Sequence, residues 1–161
     1  MTLVISPPLS AVKWADRPVN EKDVLTLLES SVWAPNDGLR EPWRFIYMNG
    51  NAGKDVLPGH PYAPAHLIVV ACLSESSHKQ TEDLCAVYGL IQNFRLLANE
   101  IQLGVRTAIH TGLNAEEFRT RFRLQKQERI AAVLDLGYAD PSFSQAADRA
   151  GADIPLRIEA F

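Results

Sequence analysis

The sequence predicts an α+β fold in which a mixed central sheet is flanked by helices. Residues 21–33 carry apolar side chains at helical spacing directly after Asn20, a residue type favoured at helix N-termini. Residues 67–73 are apolar at every position, which is typical of a central strand covered on both faces. Residues 81–103 form the longest helical pattern. Because the first strand follows a helix, the order of elements does not repeat as βαβ throughout.

The first half of the chain supplies one further strand. Residues 43–48 predict a strand, and Asn49-Gly50-Asn51 predicts the turn that ends it. In the long helix, Gly104 is predicted as the C′ residue that follows the last turn. The predicted buried face of that helix consists of Leu84, Val87, Tyr88, Ile91, Phe94, Ala98 and Ile101.

The second half continues with shorter elements. Residues 105–109 predict a short strand. Asn114 with Glu117 resembles a capping box and predicts a helix that runs to about residue 122. Residues 130–136 predict the last core strand, which Gly137 closes.

Composition indicates one globular domain over residues 1–161. The chain is 47% hydrophobic and 22% charged, and its net charge of -3 gives no electrostatic footprint for nucleic acid or an anionic membrane. No apolar run is long enough to span a membrane, and no signal-peptide pattern opens the sequence. Cys72 and Cys85 are scattered, so we expect buried thiols in a cytoplasmic protein rather than a disulfide or metal framework.

Three histidines and one arginine are expected to have structural rather than metal-binding roles. His60, His66 and His78 share no metal-ligand spacing with each other or with the cysteines, so we expect solvated or locally hydrogen-bonded side chains and no metal site. Arg44 is expected either at the surface or as an ion-pair partner at a subunit interface.

The loop between the first helix and the first strand has the composition of a ligand-contacting segment. Pro35 ends the helical pattern, and Pro42 fixes the backbone before the strand. Between them, Asn36-Asp37-Gly38 provides small residues that tolerate unusual backbone angles and allow close backbone approach to a ligand. The alternative is a plain helix-to-strand connection.

Seven segments occur in the order found in one known family. They are Asp16-Arg17-Pro18-Val19, Ala34-Pro35-Asn36, Glu41-Pro42-Trp43-Arg44-Phe45, Pro64-Ala65-His66-Leu67-Ile68-Val69-Val70, Ile91-Gln92-Asn93-Phe94 followed by Gly104, Ile109-His110-Thr111-Gly112, and Leu136-Gly137-Tyr138. Together they resemble the flavin-dependent nitroreductase family. The resemblance implies an α/β sandwich, a homodimer, and two FMN sites at the subunit interface. It also implies hydride transfer from NAD(P)H to the flavin, and from there to a nitro compound, a quinone or a similar small-molecule acceptor.

The same resemblance implies a set of flavin-contacting residues and no catalytic acid or base. The flavin ring is expected between residues 33–39 and residues 109–112, with Ser10 near the phosphate or ribityl chain. The expected contacts are Ser10, Trp33, Asp37, Ile109, His110, Thr111 and Gly112, and the candidate phosphate cations are Lys13, Arg17 and Arg149.

One departure from the family pattern favours an alternative function. Pro8-Leu9-Ser10 stands where the family has an Arg-Arg-Ser motif that binds the flavin phosphate. A phosphate is bound well by bidentate guanidinium groups, so their loss weakens the expected affinity. The alternative is a non-catalytic dimer of the same fold, a scaffold or small-ligand-binding protein.

A homodimer is also expected from the residues themselves. The long helix and the apolar C-terminal end, with Ile154, Leu156, Ile158 and Phe161, provide more apolar surface than one small core uses. Two-fold association is the commonest way to bury such a surface.

Overall fold

The computed structural model describes residues 13–109 and 111–140, except for the side chains of Asp37 and Thr111. The helices are α1 (Glu21–Ser31), α2 (Gly50–Val56), α3 (Ser77–Glu100) and α4 (Glu116–Arg121), and the strands are β1 (Trp43–Asn49), β2 (Ala65–Cys72), β3 (Gly104–Ala108) and β4 (Glu128–Gly137). Two short 3₁₀ turns, Asp37–Leu39 and Thr111–Asn114, precede β1 and α4. None of the described helices is both long and apolar enough to cross a bilayer.

The four described strands form one sheet in the order β1-β2-β4-β3. The expected α+β class and the central position of β2 are confirmed. All three pairings in this sheet are antiparallel, whereas mixed strand directions were expected. The two strands in the middle are buried along nearly their whole length, which explains why their sequences are apolar without alternation.

Two apolar layers cover the sheet. On one face α1 and α3 pack through residues that include Val24, Leu28, Val87 and Phe94. On the other face a smaller cluster includes Leu57, Ile68, Leu113 and Val133, with side chains from α2 and α4 packed against it. The sheet is therefore the middle layer of a three-layer sandwich.

Helix α1 begins where the sequence predicts. The Asn20 side-chain oxygen accepts a hydrogen bond from the Lys22 amide at 3.0 Å, so Asn20 is the N-cap. The helix ends at Ser31, two residues before the predicted end.

The predicted turn at Asn49-Gly50-Asn51 is wrong, because α2 begins there. Asn49 caps this helix through a 3.0 Å hydrogen bond from the Ala52 amide to its side-chain oxygen. A Cβ on Gly50 would lie 2.3 Å from the Ala63 carbonyl oxygen, so only glycine allows this close approach.

Two predictions around α3 and α4 are also wrong. Gly104 is the first residue of β3, and Gln102, with φ of 59°, provides the left-handed residue after α3. Asn114 does not cap α4, whose N-cap is Ala115; its side chain instead binds the backbone of Ile130.

The buried face of α3 is narrower than predicted. Val87, Ile91, Phe94 and Ala98 are buried as expected. Tyr88 is 39% exposed although its hydroxyl donates to the Ala131 carbonyl at 3.4 Å, and Ile101, which follows the last residue of α3, is 44% exposed.

Candidate functional site

The loop at residues 33–39 presents apolar side chains and strained backbone to solvent. Trp33 is 84% exposed and Leu39 is 80% exposed. Gly38 and Leu39 have φ values of 58° and 53°, in the left-handed region. The Asn36 side chain closes the loop by accepting from the Glu41 amide at 3.0 Å and donating to the Ala34 carbonyl at 3.1 Å. The loop is therefore held in shape by its own residues while its apolar surface stays open.

The second predicted segment, the 109–112 turn, follows β3. Ile109 is 59% exposed and Gly112 is exposed in the short turn that follows. The turn is anchored by Asn114, whose side chain accepts from the Ile130 amide at 2.8 Å and donates to the Ile130 carbonyl at 3.1 Å. His110 lies outside the described residues, as does the side chain of Thr111.

The two segments leave the same end of the sheet at opposite edges. Trp43, at the start of β1, is in register with Ala71 and through it with Arg129 near the start of β4. Ala108, at the end of β3, is opposite Val133 of β4. Three strand spacings separate β1 from β3, which is about 14 Å. Within one chain, the structure does not bring the 33–39 loop against the 109–112 turn.

Two of the three candidate phosphate cations, Lys13 and Arg17, lie at the other end of the sheet. Lys13 Nζ is 3.6 Å from Asp140 Oδ2, and the Arg17 guanidinium carbon is 3.6 Å from the centre of the Tyr138 ring. Tyr138 and Asp140 lie just beyond β4, whose ten residues span about 30 Å. Lys13 and Arg17 are therefore near each other and far from the 33–39 loop of their own chain. Ser10 and Arg149 lie outside the described residues.

A row of polar side chains crosses the otherwise apolar sheet. His66 of β2 and Arg106 of β3 are the register partners of Asp135 of β4. His66 Nδ1 is 2.8 Å from Asp135 Oδ1, and the Arg106 Nε and terminal amino groups donate to Asp135 Oδ2 at 2.9 Å and 2.8 Å. His60, from the loop after α2, places its Nε2 2.7 Å from the same Oδ1.

This cluster is deeply buried. Asp135 is 0% exposed and His66 is 2% exposed. Burial alone would raise the pKa of Asp135, but the hydrogen bonds from His60, His66 and Arg106 outweigh it and hold that pKa well below its usual value. The expectation that His60 and His66 are locally hydrogen-bonded is confirmed.

A cavity of about 440 Å³ connects this cluster with the second predicted segment. It runs along β3 and is lined by residues that include His60, Arg106, Asp135, Gly112 and Phe118. The sequence prediction missed this cavity and the cluster. The signal that could have indicated them is a charged residue, Asp135, inside the apolar run at residues 130–136.

A second charged cluster lies near the other end of β4. Arg44 binds Glu128 of the same chain with both Nε and a terminal amino group at 2.9 Å, so its ion pair lies within one chain, whereas an ion pair at an interface was one of the two expectations. The two hydrogen bonds from Arg44 and the one from the Gln125 amide lower the pKa of Glu128 to about 2. Burial, with the nearby Glu128 charge, raises the pKa of the Cys72 thiol to about 11. Cys72 is therefore a protonated structural thiol and not a nucleophile.

Comparison with known proteins identifies a relative with a similar sequence. No family model matches the chain. A provisionally named NAD(P)H nitroreductase of Bacillus subtilis (strain 168), YfhC, is 31% identical over 161 residues, covering 85% of this chain and 83% of that protein.

Solved structures show the same fold. A nitroreductase-like family protein from Bacillus cereus is 28% identical, with a TM-score of 0.73 over 83% of this chain and 82% of that chain. A nitroreductase from Desulfovibrio desulfuricans, solved in complex with FMN, also has a TM-score of 0.73 but only 22% identity, with 94% of this chain and 92% of that chain covered.

Proposed function

The chain belongs to the nitroreductase family and is a flavin-type oxidoreductase, and we propose that it passes hydride from NAD(P)H through FMN to a nitro compound, a quinone or a similar small acceptor. The observation that carries this proposal is the pair of tight turns whose apolar side chains, Trp33, Leu39 and Ile109, are left exposed at one end of the sheet. Exposed apolar groups of this size on a rigid scaffold mark binding surfaces.

The residues present fit an FMN ring. Bound FMN supplies the two-electron chemistry, which needs no acid-base pair from the protein. Trp33 and Ile109 would exclude water from the ring, and Gly38 and Gly112, both exposed, would let its polar edge approach the backbone closely. Lys13 and Arg17 would hold the phosphate in place of the missing arginine motif.

The distances within one chain support a site shared by two chains. The 33–39 loop and the Lys13–Arg17 pair lie at opposite ends of the sheet. A two-fold axis that pairs two chains in antiparallel fashion brings opposite ends of the two copies together. In the proposed homodimer, Lys13 and Arg17 of one protomer therefore lie beside the 33–39 loop and the 109–112 turn of its partner.

Helix α3 provides a surface for this association. Cys85, Tyr88, Gln92 and Leu96 are exposed at helical spacing, and a Cβ on Gly89 between them would meet nothing within 4 Å. A partly apolar helix face with a glycine allows a second helix to approach closely.

The first experiment tests flavin binding. Protein incubated with FMN and then desalted should stay yellow, and it should oxidise NADH or NADPH when a quinone or a nitroaromatic compound is added. Titrations of Lys13→Ala, Arg17→Ala and Arg149→Ala should show at least one loss of about ten- to hundred-fold in FMN affinity. A colourless protein that leaves FMN with its free-solution fluorescence contradicts the proposal and favours the non-catalytic alternative.

The second experiment tests the homodimer. Light scattering at micromolar concentration should give twice the chain mass for the parent protein. Leu96→Lys should shift this mass toward the monomer, whereas Thr120→Lys, at an exposed position of α4 on the opposite face, should not. A parent protein of monomer mass contradicts the association.

The third experiment tests whether each site is shared. Leu39→Asp damages the loop and Arg17→Ala damages the cation pair. When the two variants are unfolded and refolded together, mixed dimers with shared sites contain one doubly damaged site and one intact site, so FMN binding returns. If each site belongs to one chain, every site carries a defect and mixing restores nothing.

A further inference from the structure

We propose that His60, His66 and Asp135 form a binding site for a divalent transition-metal ion of the zinc type. This site is independent of the flavin proposal, since it uses none of the residues assigned to FMN. It lies where β2 and β4 pair, with His60 supplied by the loop after α2.

The ligand atoms are already close to the required geometry. The three donor atoms lie within 4.8 Å of one another, and both histidine nitrogens are 2.7–2.8 Å from Asp135 Oδ1. Ligand atoms on a tetrahedral zinc, about 2.0–2.1 Å from the metal, lie about 3.3 Å apart. The ion therefore requires each histidine nitrogen to move about half an ångström away from Asp135 Oδ1.

The donor chemistry selects the class of ion. Two neutral imidazoles and one carboxylate suit zinc and its transition-metal neighbours, whereas calcium and magnesium prefer sets of oxygen ligands. Three protein ligands leave a fourth position of a tetrahedral ion open. His60 and Asp135 both line the 440 Å³ cavity, so the ion and a fourth ligand can reach the site from there.

Neighbouring groups hold two of the ligands in place. Arg106 occupies Asp135 Oδ2 with two hydrogen bonds and leaves Oδ1 for the ion. Such outer contacts orient metal ligands in known sites. Gly53 makes room for the ring of His66, because a Cβ there would lie 2.2 Å from His66 Cδ2.

The cluster is also hard to explain by packing alone. A buried charged group generally stabilises a fold no better than apolar side chains of the same volume would. His66, Asp135 and Arg106 nevertheless occupy three positions on a sheet face that is otherwise apolar. Ile68 and Val133 lie next to them on the same face. A buried carboxylate with specific charged partners beside a cavity is characteristic of a functional site.

The test uses the full chain, stripped with a chelator and free of added FMN. Titration with Zn²⁺ should show one ion per chain, and Co²⁺ should give the visible absorption of a tetrahedral complex. His60→Gln retains an amide that can donate to Asp135 but removes the imidazole, so the fold is kept while Zn²⁺ affinity falls at least about tenfold. His78→Gln, the same change at an exposed histidine paired with Glu82, should bind Zn²⁺ like the parent.

Two results would overturn the site. The first is a parent protein that binds no Zn²⁺, which leaves the cluster as a purely hydrogen-bonded network. The second is Zn²⁺ binding that His60→Gln and Asp135→Asn leave unchanged while His78→Gln reduces it, which places the ion elsewhere. If His60→Gln unfolds, the Co²⁺ spectrum of the parent still decides between tetrahedral binding and none.

Discussion

Replacing Arg44 with methionine should destabilise the protein near neutral pH. It should also reduce the further loss of stability that acid causes. Arg44 is the main cause of the lowered pKa of Glu128, which falls from 4.5 to about 2. That difference corresponds to about 3 kcal/mol of folding free energy. The Arg44 side chain is 36% exposed, so water screens part of this interaction, and we expect Arg44→Met to lose about 2 kcal/mol.

The lowered pKa of Glu128 determines how the stability of the protein changes with pH. The pKa of Glu128 is lowered by folding, so its contribution to stability is fully present above pH 4.5 and disappears as the pH falls toward about 2. The parent protein should lose stability over this window. Arg44→Met should lose much less, because its Glu128 titrates closer to the unfolded value.

Urea unfolding at a series of pH values measures both effects. Arg129→Met is the matched control, since Arg129 is exposed and directly follows Glu128 in the sequence. It should leave the unfolding midpoint nearly unchanged. If Arg44→Met and the parent lose the same stability between pH 4.5 and about 2, the assignment of this pH dependence to the ion pair is wrong.

Three further changes have defined outcomes. Asn114→Ala removes both hydrogen bonds to the backbone of Ile130 and should cost about 1–3 kcal/mol in urea unfolding, with faster amide exchange at Ile130. Gly53→Ala should lower the melting temperature, because its Cβ would lie 2.2 Å from His66 Cδ2 and the resulting strain of about 1–3 kcal/mol exceeds the gain in helix propensity. The Cys72 thiol, with a pKa of about 11, should resist alkylation at mildly alkaline pH until urea unfolds the chain.

Each of these changes has a control within the chain. Asn99→Ala alters an exposed asparagine near the end of α3 and should cost little. Gly89→Ala places a Cβ where nothing lies within 4 Å, so it should not destabilise a single chain. Cys85→Ser removes the exposed thiol and leaves Cys72 as the only thiol to follow. Rapid native alkylation in that variant would contradict the raised pKa of the Cys72 thiol.

The sequence predicted those elements whose causes are local. Asn20 caps α1 through its own side chain, and the apolar run at residues 67–73 needs only burial on both faces to become β2. Asn49 carries the same capping chemistry as Asn20, but the sequence Asn-Gly-Asn also suits a turn. The choice depends on distant residues, because Gly50 and Gly53 pack against Ala63 and His66.

The polar cluster could not be found from spacing. His60 and Asp135 are 75 positions apart in the sequence, and His66 and Asp135 meet only because β2 and β4 pair in one register. A shift of one residue would turn the side chain of Asp135 to the other face of the sheet. Sequence spacing detects ligands that share one element, whereas these come from two strands and a loop.

The distance between the 33–39 loop and the 109–112 turn in one chain favours a site formed by two chains. Each segment has the exposed apolar surface that a ring-shaped ligand requires, yet β2 and β4 stand between them in one chain. A site confined to one chain would use one segment and leave the other apolar surface in water, where burying it would gain about 25 cal/mol per Å². A second copy, related by a two-fold axis, can cover both surfaces at once and bring the Lys13–Arg17 end to the loop end. The proposed flavin site and the exposed face of α3 would then be completed by the same second copy, and we expect a variant that separates the chains to lose FMN as well.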